Sequence, residues 1–373
     1  MCDKPTILLV LTSTKGGEWT HITHVTSTLK SHFQFIVISA KKHQPSHSTH
    51  SVDWLYSLSP YDMWKLYKII QKHTVSLIHC HGYRALYMAR FLRIIFKNTP
   101  PIIGTIHGFH LSHYTSHIKK YSLLFLEKIF CRLQNHLIAV SQSDYNDILK
   151  HRCAHPQQLT LIPNGIQYHP TRHLPKNIVN NWLRTHQIDP KSMTIICSIG
   201  ALEPVKGSLD LVKMAHHLIT QYPNQEFRFL IIGSGPLYQS LHTFITDQCL
   251  QSSIYLLGHQ DSPTDWLNVS DIYLSFSHYE GCPYSILEAM NAQLPVIAPN
   301  VSGCKDLIQH NHNGYLFQPK NYEECAQYIL TLSKDAAHRI QMGNQHHNIL
   351  NTTHSLQNMS QQLHQLYHKH LSC

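Results

Sequence analysis

Two carboxylates eight residues apart, Glu280 and Glu288, bracket the stretch EGCPYSILE. Between them Gly281, Cys282 and Pro283 form a turn, and residues 285–292 have the Leu, Glu, Ala and Met content of a helix. Pro283 suits a first helical position, where its missing N–H costs nothing. Just upstream, residues 272–278 (IYLSFSH) are β-branched and aromatic enough for a buried strand. Glu280 is therefore expected in the loop at a strand's carboxyl end, with Glu288 about one turn inside the next helix. Open α/β sheets bind ligands at that edge. A helix N-terminus there offers N–H groups and a positive dipole end to an anion such as a diphosphate. A carboxylate in such a place is suited to accept hydrogen bonds from hydroxyls, of a sugar or a ribose. On spacing alone a plainer reading stays open: two solvated charges at a helix start.

The elements that must position these residues alternate along the whole chain. Residues 6–12 (TILLVLT) predict a strand, and Lys15, Gly16, Gly17 and Glu18 turn into a helix over 19–31. That strand, glycine loop and helix suit a phosphate, although the full G-x-G-x-x-G is absent. Strands are expected at FQFIVIS, near residues 52–58, at VSLIHC (before His81 and Gly82) and at PIIGTIH, which delivers His107 and Gly108 at its carboxyl end. Helices are expected over residues 61–72, 84–96 and 114–133, the last with Lys119, Lys120, Lys128 and Arg132 off its apolar stripe. Ser141 opens the helix QSDYNDILK, and Pro163-Asn164-Gly165 turns the chain out of this half. A second series follows: MTIICSIGAL, the loop EPVKG carrying Lys206, a helix, and FRFLIIG running into Gly233, Ser234 and Gly235. Strands and helices in this order predict parallel, doubly wound α/β sheets.

Composition narrows the function classes. At 373 residues the chain exceeds one core, so two domains are expected. The apolar fraction of 42% is ordinary for a globular protein, and no apolar run reaches the ~18 residues of a membrane span. The short apolar start ends in a glycine loop and reads as a first strand rather than a signal peptide. Ten cysteines, scattered singly, read as reduced cytosolic thiols. The 33 histidines include His79 with His81 and His310 with His312, yet they spread over the entire chain, which suggests a compositional bias and not a zinc site. No D-x-D triplet is present to hold a metal-bound diphosphate, so metal-independent chemistry without a cofactor is expected. Basic charge is concentrated at one end: residues 1–150 carry 17 Lys and Arg against 7 Asp and Glu, whereas the remainder carries 13 against 14. Nucleic acid, an anionic membrane surface or a phosphorylated substrate could each explain this. Nucleic acid is not expected, because no recognised motif or aromatic–basic interleaving accompanies the charge.

The run EGCPYSILEAMNAQLPVIAPNVSGCKDLI resembles the donor-site signature of the retaining family-4 glycosyltransferases, and the resemblance extends over essentially the whole chain. It implies the GT-B fold, two Rossmann-like doubly wound α/β domains facing a central cleft. The N-terminal domain would span residues 1–168, joined by a C-terminal helix (354–373) that crosses back. A donor domain would span 169–353. It implies catalytic roles for Glu280 on the donor sugar, Lys206 on the diphosphate and His107, whose Thr105-Ile106-His107-Gly108 is similar to the family's TxHG. Glu288 would hold the ribose. Gly281, Cys282, Pro283, Gly16, Gly17, Gly233 and Gly235 would line the nucleotide, with Glu18 and His81 on the acceptor side. One departure is marked. Ala201 stands where the family has arginine, a loss of roughly 1.5–3 kcal/mol, or about 10- to 150-fold in donor affinity. Gln293, in place of a glycine, is a smaller one.

The resemblance thus implies a cytoplasmic enzyme that moves a sugar, with retention, from a nucleotide-diphosphate donor (a UDP-sugar) to a glycan or polyprenyl-diphosphate-linked acceptor in surface-polysaccharide assembly. Ala201 keeps an alternative open, a non-catalytic nucleotide-sugar-binding partner subunit. The helices of the basic half combine Lys and Arg with Trp64, Tyr67, Phe91, Phe96, Phe125 and Phe130, so peripheral contact with an anionic membrane is expected of them.

Overall fold

A computed structural model of the chain describes residues 4–11, 16–39, 60–110, 116–169 and 177–371. The chain divides into two compact units, Met1–Gly165 with Leu356–Cys373, and Ile166–Ser355. The first runs β1 (Thr6–Leu11), α1 (Gly17–Leu29), β2 (Gln34–Ile38), α2 (Pro60–Lys72), β3 (Val75–His81), α3 (Gly82–Ile95), β4 (Ile102–Ile106), α4 (His117–Phe130), β5 (His136–Ala139), α5 (Gln142–Lys150) and β6 (Leu159–Leu161). The described strands pair in parallel in the order β2-β1-β3-β4-β5-β6. The short strand expected near residues 52–58 lies outside the described residues.

The second unit starts with α6 (Asn177–Thr185) and β7 (Thr194–Ile199). It continues with α7 (Ser208–Gln221), β8 (Phe227–Ile232), α8 (Tyr238–Asp247), β9 (Ile254–Gly258), α9 (Pro263–Leu267), β10 (Ile272–Leu274) and α10 (Tyr284–Asn291). It ends with β11 (Val296–Pro299), α11 (Cys304–Leu307), β12 (Gly314–Phe317), α12 (Tyr322–Lys334), α13 (Ala336–Asn344) and α14 (His346–Asn351). Its sheet is also parallel, ordered β12-β11-β10-β7-β8-β9. In each sheet the order reverses beside the unit's first strand, between β1 and β3 and between β7 and β10. In open α/β sheets ligands bind at such switch points, beyond the carboxyl ends of the strands.

The strand sequences follow from burial on both faces. All six residues of β1 (TILLVL) are buried, the near-continuous apolar run expected where helices cover each side of a parallel sheet. Alternate residues serve opposite cores. Leu8 and Val10 pack with Leu66, Leu86 and Ala89, while Ile7, Leu9 and Leu11 pack with Ile22 and Val25 of α1. The last helix, α15 (Leu356–Leu371), joins that second core through Met359, Leu363 and Tyr367.

Two expected boundaries beside Glu280 moved. The strand foreseen over 272–278 stops at Leu274 because the chain peels away to make the loop that carries Glu280, where His278 N–H bonds to the Val205 carbonyl at 2.8 Å. Pro283 precedes the helix instead of starting it. Its extended backbone (ψ 120°) caps α10, and its carbonyl accepts from Ile286 N at 3.2 Å.

Helix α4 is attached in an unusual way. Only Leu124 and Glu127 of its 14 residues are buried. Glu127 grips Arg90 of α3 bidentately (Nη1–Oε2 2.8 Å, Nη2–Oε1 2.6 Å), with both side chains at 0% exposure. Arg90 Nε also donates to Gln134 Oε1 at 2.7 Å, and Tyr87 Oη to Glu127 Oε2 at 2.8 Å. On the opposite side Ile118, Tyr121, Phe125 and Ile129 are 83%, 65%, 63% and 50% exposed. At the helical step these four fall within about 80° of one another. The exposed Lys119 and Lys128 flank them. Breaking one half of a buried pair strands the other charge, at roughly 3–5 kcal/mol. Glu127→Ala is therefore expected to lower unfolding stability by that order. Arg90→Met/Glu127→Leu should recover most of the loss, with both read by chemical denaturation.

Candidate active site

In the second unit the loops after β7 and β10, the two sides of the switch point, are bonded to each other. Residues 200–203 lead into a single 3-10 turn, Pro204–Lys206, and Gly207 then takes a left-handed conformation (φ 63°) before α7. A Cβ on Gly207 would run into the Phe276 carbonyl, so glycine is what lets the β10 exit lie against this turn. The result brings Lys206 Nζ to 2.7 Å from Glu280 Oε1. Ser277 Oγ donates to the same oxygen at 2.6 Å. Glu280 is 8% exposed, whereas the Lys206 side chain keeps 31% of its surface. Among the described residues no hydrogen bond reaches Glu280 Oε2. The sequence assigned Lys206 and Glu280 to different parts of a ligand, and in the structure they form one ion pair. Ser277, which completes it, has no signal in sequence beyond its place three residues before Glu280.

Gly281, Cys282 and Pro283 are buried behind this carboxylate. Gly233 adopts φ 145° with its Cα against the Gly200 carbonyl, and Gly235 lies against the Leu202 carbonyl. Leu202 N–H bonds to Ser234 O at 3.0 Å. Close backbone packing between the loops after β7 and β8 therefore accounts for both glycines. Ala201 sits in the same loop.

Glu288, on α10, is half-buried. Burial pushes its carboxyl up to about 7 from an ordinary 4.5. Between those values the folded state holds a proton that the unfolded chain releases, so stability falls as pH rises through the window. Above pH 7 the full cost of a buried charge is present. Glu288→Gln removes that charge. It is expected to stabilise the free protein by on the order of 2–3 kcal/mol at pH 8 and by little at pH 5, measured as the pH dependence of Tm.

The first unit has its own cluster at the β1/β3 switch point and the neighbouring end of β4. Gly16 (φ 73°) precedes α1, and Gly16 and Gly17 are exposed, with Glu18 half-buried. His79 and His81, two apart on β3, share one face, with ring centroids 4.2 Å apart. His81 Nδ1 lies 3.0 Å from Nε2 of His107, the residue after β4. His21 of α1 stands edge-on to His107 (5.1 Å, 76°), and its Nδ1 is 3.0 Å from Asn164 Oδ1. His79 is held from both ends, by Tyr367 Oη of α15 at 2.6 Å and Thr105 Oγ1 at 2.7 Å. His21, His79 and His81 are buried and His107 is half-buried. Burial, and then neighbouring imidazoles, hold His81 and His107 well below the usual range. Burial holds His21 at about 4 and His79 at about 3. All four rings are thus neutral at pH 7. The sequence singled out His81 and His107. The i, i+2 spacing could have added His79, but nothing marked His21 or Tyr367. No group of three His, Cys, Asp or Glu among the described residues has the geometry to hold a metal ion.

Residues 15–169 match the family model described as glycosyltransferase family 4, and residues 183–348 the one described as glycosyl transferases group 1. The chain is 25% identical over 288 residues to the UDP-Gal:alpha-D-GlcNAc-diphosphoundecaprenol alpha-1,3-galactosyltransferase of Escherichia coli, an alignment covering 77% of this chain and 73% of that one. It is 30% identical over 157 residues to the poly(ribitol-phosphate) alpha-N-acetylglucosaminyltransferase of Staphylococcus aureus. That match takes in 41% of this chain and 31% of the relative, so the chain spans less than a third of its length. Among solved structures, HepE of Anabaena, crystallised with UDP and glucose, has a similar fold: TM-score 0.81 at 18% identity, over 98% of this chain and 100% of that one. With one family model on each sheet and this shared architecture, the chain belongs to the family-4 glycosyltransferases and has the GT-B fold.

Proposed function

We propose that the protein transfers a sugar from a UDP-type nucleotide donor, with retention, to a phosphate-bearing lipid-linked acceptor at an anionic membrane surface. The acceptor named for the Escherichia coli relative, a sugar on diphosphoundecaprenol, is of this chemical kind. The observation that carries the membrane reading is the outer face of α4, where Ile118, Tyr121, Phe125 and Ile129 are exposed between Lys119 and Lys128. An apolar stripe between basic residues suits the headgroup boundary of an anionic bilayer, with each basic residue contributing roughly 1 kcal/mol. Of the aromatic residues expected to serve this purpose, Trp64 and Phe125 are exposed. Tyr67, Phe91 and Phe96 instead pack against the core, Tyr67 stacked on Phe96 at 3.9 Å. No helix among the described residues is long and apolar enough to cross a membrane, so the contact proposed is peripheral.

In this reading Lys206 turns from Glu280 to the donor diphosphate, and Glu280, still held by Ser277, accepts hydrogen bonds from sugar hydroxyls. Lys206 and the N-terminus of α10 stabilise the charge that develops on the departing phosphate. They take the part a metal would otherwise play, and the chain carries no D-x-D triplet. The bond from the anomeric carbon to phosphate breaks while the bond to the acceptor oxygen forms on the same face. The acceptor's proton passes to the departing phosphate oxygen. Glu288, with a carboxyl near neutrality, receives the ribose hydroxyls.

Replacing Lys206 with Met is expected to weaken UDP by about tenfold or more and uridine far less, read by titration calorimetry. Equal losses for the two ligands would remove Lys206 from the diphosphate. Vesicle flotation tests the membrane reading. The protein should float with vesicles containing anionic lipid, fail to float with neutral ones, and release in high salt. Ile118→Ser/Phe125→Ser, on side chains that support no core, should stay at the bottom. Failure of the natural protein to float at low salt would point to a soluble acceptor.

A further inference from the structure

His107 is the imidazole expected to face the ligand, and its ring is tied to another imidazole by a single 3.0 Å contact. Two neutral imidazoles can share that contact in two ways. Either His81 Nδ1–H donates to a bare His107 Nε2, or His107 Nε2–H donates to a bare His81 Nδ1. His81 has 0% exposure, and its other nitrogen, Nε2, has no hydrogen-bond partner among the described residues. The second arrangement would put the His81 proton on that nitrogen, as a buried N–H with nothing to donate to. Orphaned buried N–H groups are rarer and costlier than unused lone pairs. The first arrangement leaves only a lone pair unused.

We propose that His81 is a positioning residue that donates from Nδ1 to Nε2 of His107, so that His107 carries its proton on Nδ1 and meets its ligand as a hydrogen-bond donor to an oxygen. The rings around it favour this fixed state. His79, its two nitrogens engaged by Tyr367 and Thr105, packs 4.2 Å from the His81 ring. His21 closes the edge of His107. Burial keeps the His81 and His107 rings neutral, so neither holds a second proton near pH 7. A His107 committed in this way has no lone pair to offer and cannot accept a proton from an incoming hydroxyl. The inference rests on the glycosyltransferase reading only for the identity of the ligand. The tautomer itself is a property of the free protein.

Long-range proton–nitrogen correlation spectra of the imidazole rings, recorded on the free full-length protein at neutral pH, test it. The His107 Nδ1 should resonate as the protonated, pyrrole-type nitrogen and Nε2 as the bare, pyridine-type one. The reverse pattern overturns the proposal. His81→Asn places an amide N–H where Nδ1 stood and should preserve the His107 pattern. His81→Leu should collapse it to an average of the two tautomers, and a wild-type pattern in that variant would mean that His81 does not set it. Should His81→Leu not fold, the wild-type and His81→Asn spectra decide. Because none of these spectra requires turnover, absence of transferase activity would count against the functional reading and leave this result intact.

Discussion

Two parallel strands can pair only after the chain has crossed back over the sheet, so every strand in such a sheet delivers its carboxyl end to the same edge. That constraint governs both units. Where strand order reverses, successive crossovers pass to opposite faces of the sheet. The residues with chemical potential gather there, Gly16 after β1 and His81 at the end of β3, Lys206 and Glu280 after β7 and β10. The glycines at Gly207 and Gly233 serve the same constraint. They let loops from neighbouring strands touch through their backbones.

The two ion pairs illustrate how surroundings divide one kind of interaction into two roles. Arg90 and Glu127 are engaged at every polar atom: both guanidinium Nη atoms, Nε and both carboxylate oxygens have partners, and neither side chain meets solvent. Nothing is left over for a ligand, and the pair acts as a rivet between α3 and α4. Lys206 and Glu280 share a single oxygen, and the lysine remains in reach of water. A primary ammonium has three donors and a flexible stem, so the lysine can turn toward an anion and stay solvated as it does. Ser277 keeps Glu280 in place when it does.

Much of this arrangement was legible in the sequence, because parallel α/β order is written in long apolar runs and glycine-rich turns. The strand carrying His107, the loop carrying Lys206 and the helix carrying Glu288 all lie where periodicity placed them. Sequence was silent on contacts between distant segments. His21 reaches His107 across 86 residues and Tyr367 reaches His79 across 288, distances at which no local pattern operates. It also left open which way α4 faces. An apolar stripe on a helix normally faces the core, but here a buried carboxylate occupies the inner face and the stripe turns outward. Periodicity finds the two faces of a helix without saying which one the fold buries.

That inverted helix has a kinetic consequence. Because α4 is tied to α3 through Glu127 and Arg90, adsorption through its apolar face would fix the orientation of the first unit. A molecule so held explores a plane and not a volume, keeping one aspect toward the lipid. Its encounters with a lipid-borne acceptor would then be set by lateral diffusion and surface density, and bulk acceptor concentration would cease to be the relevant variable.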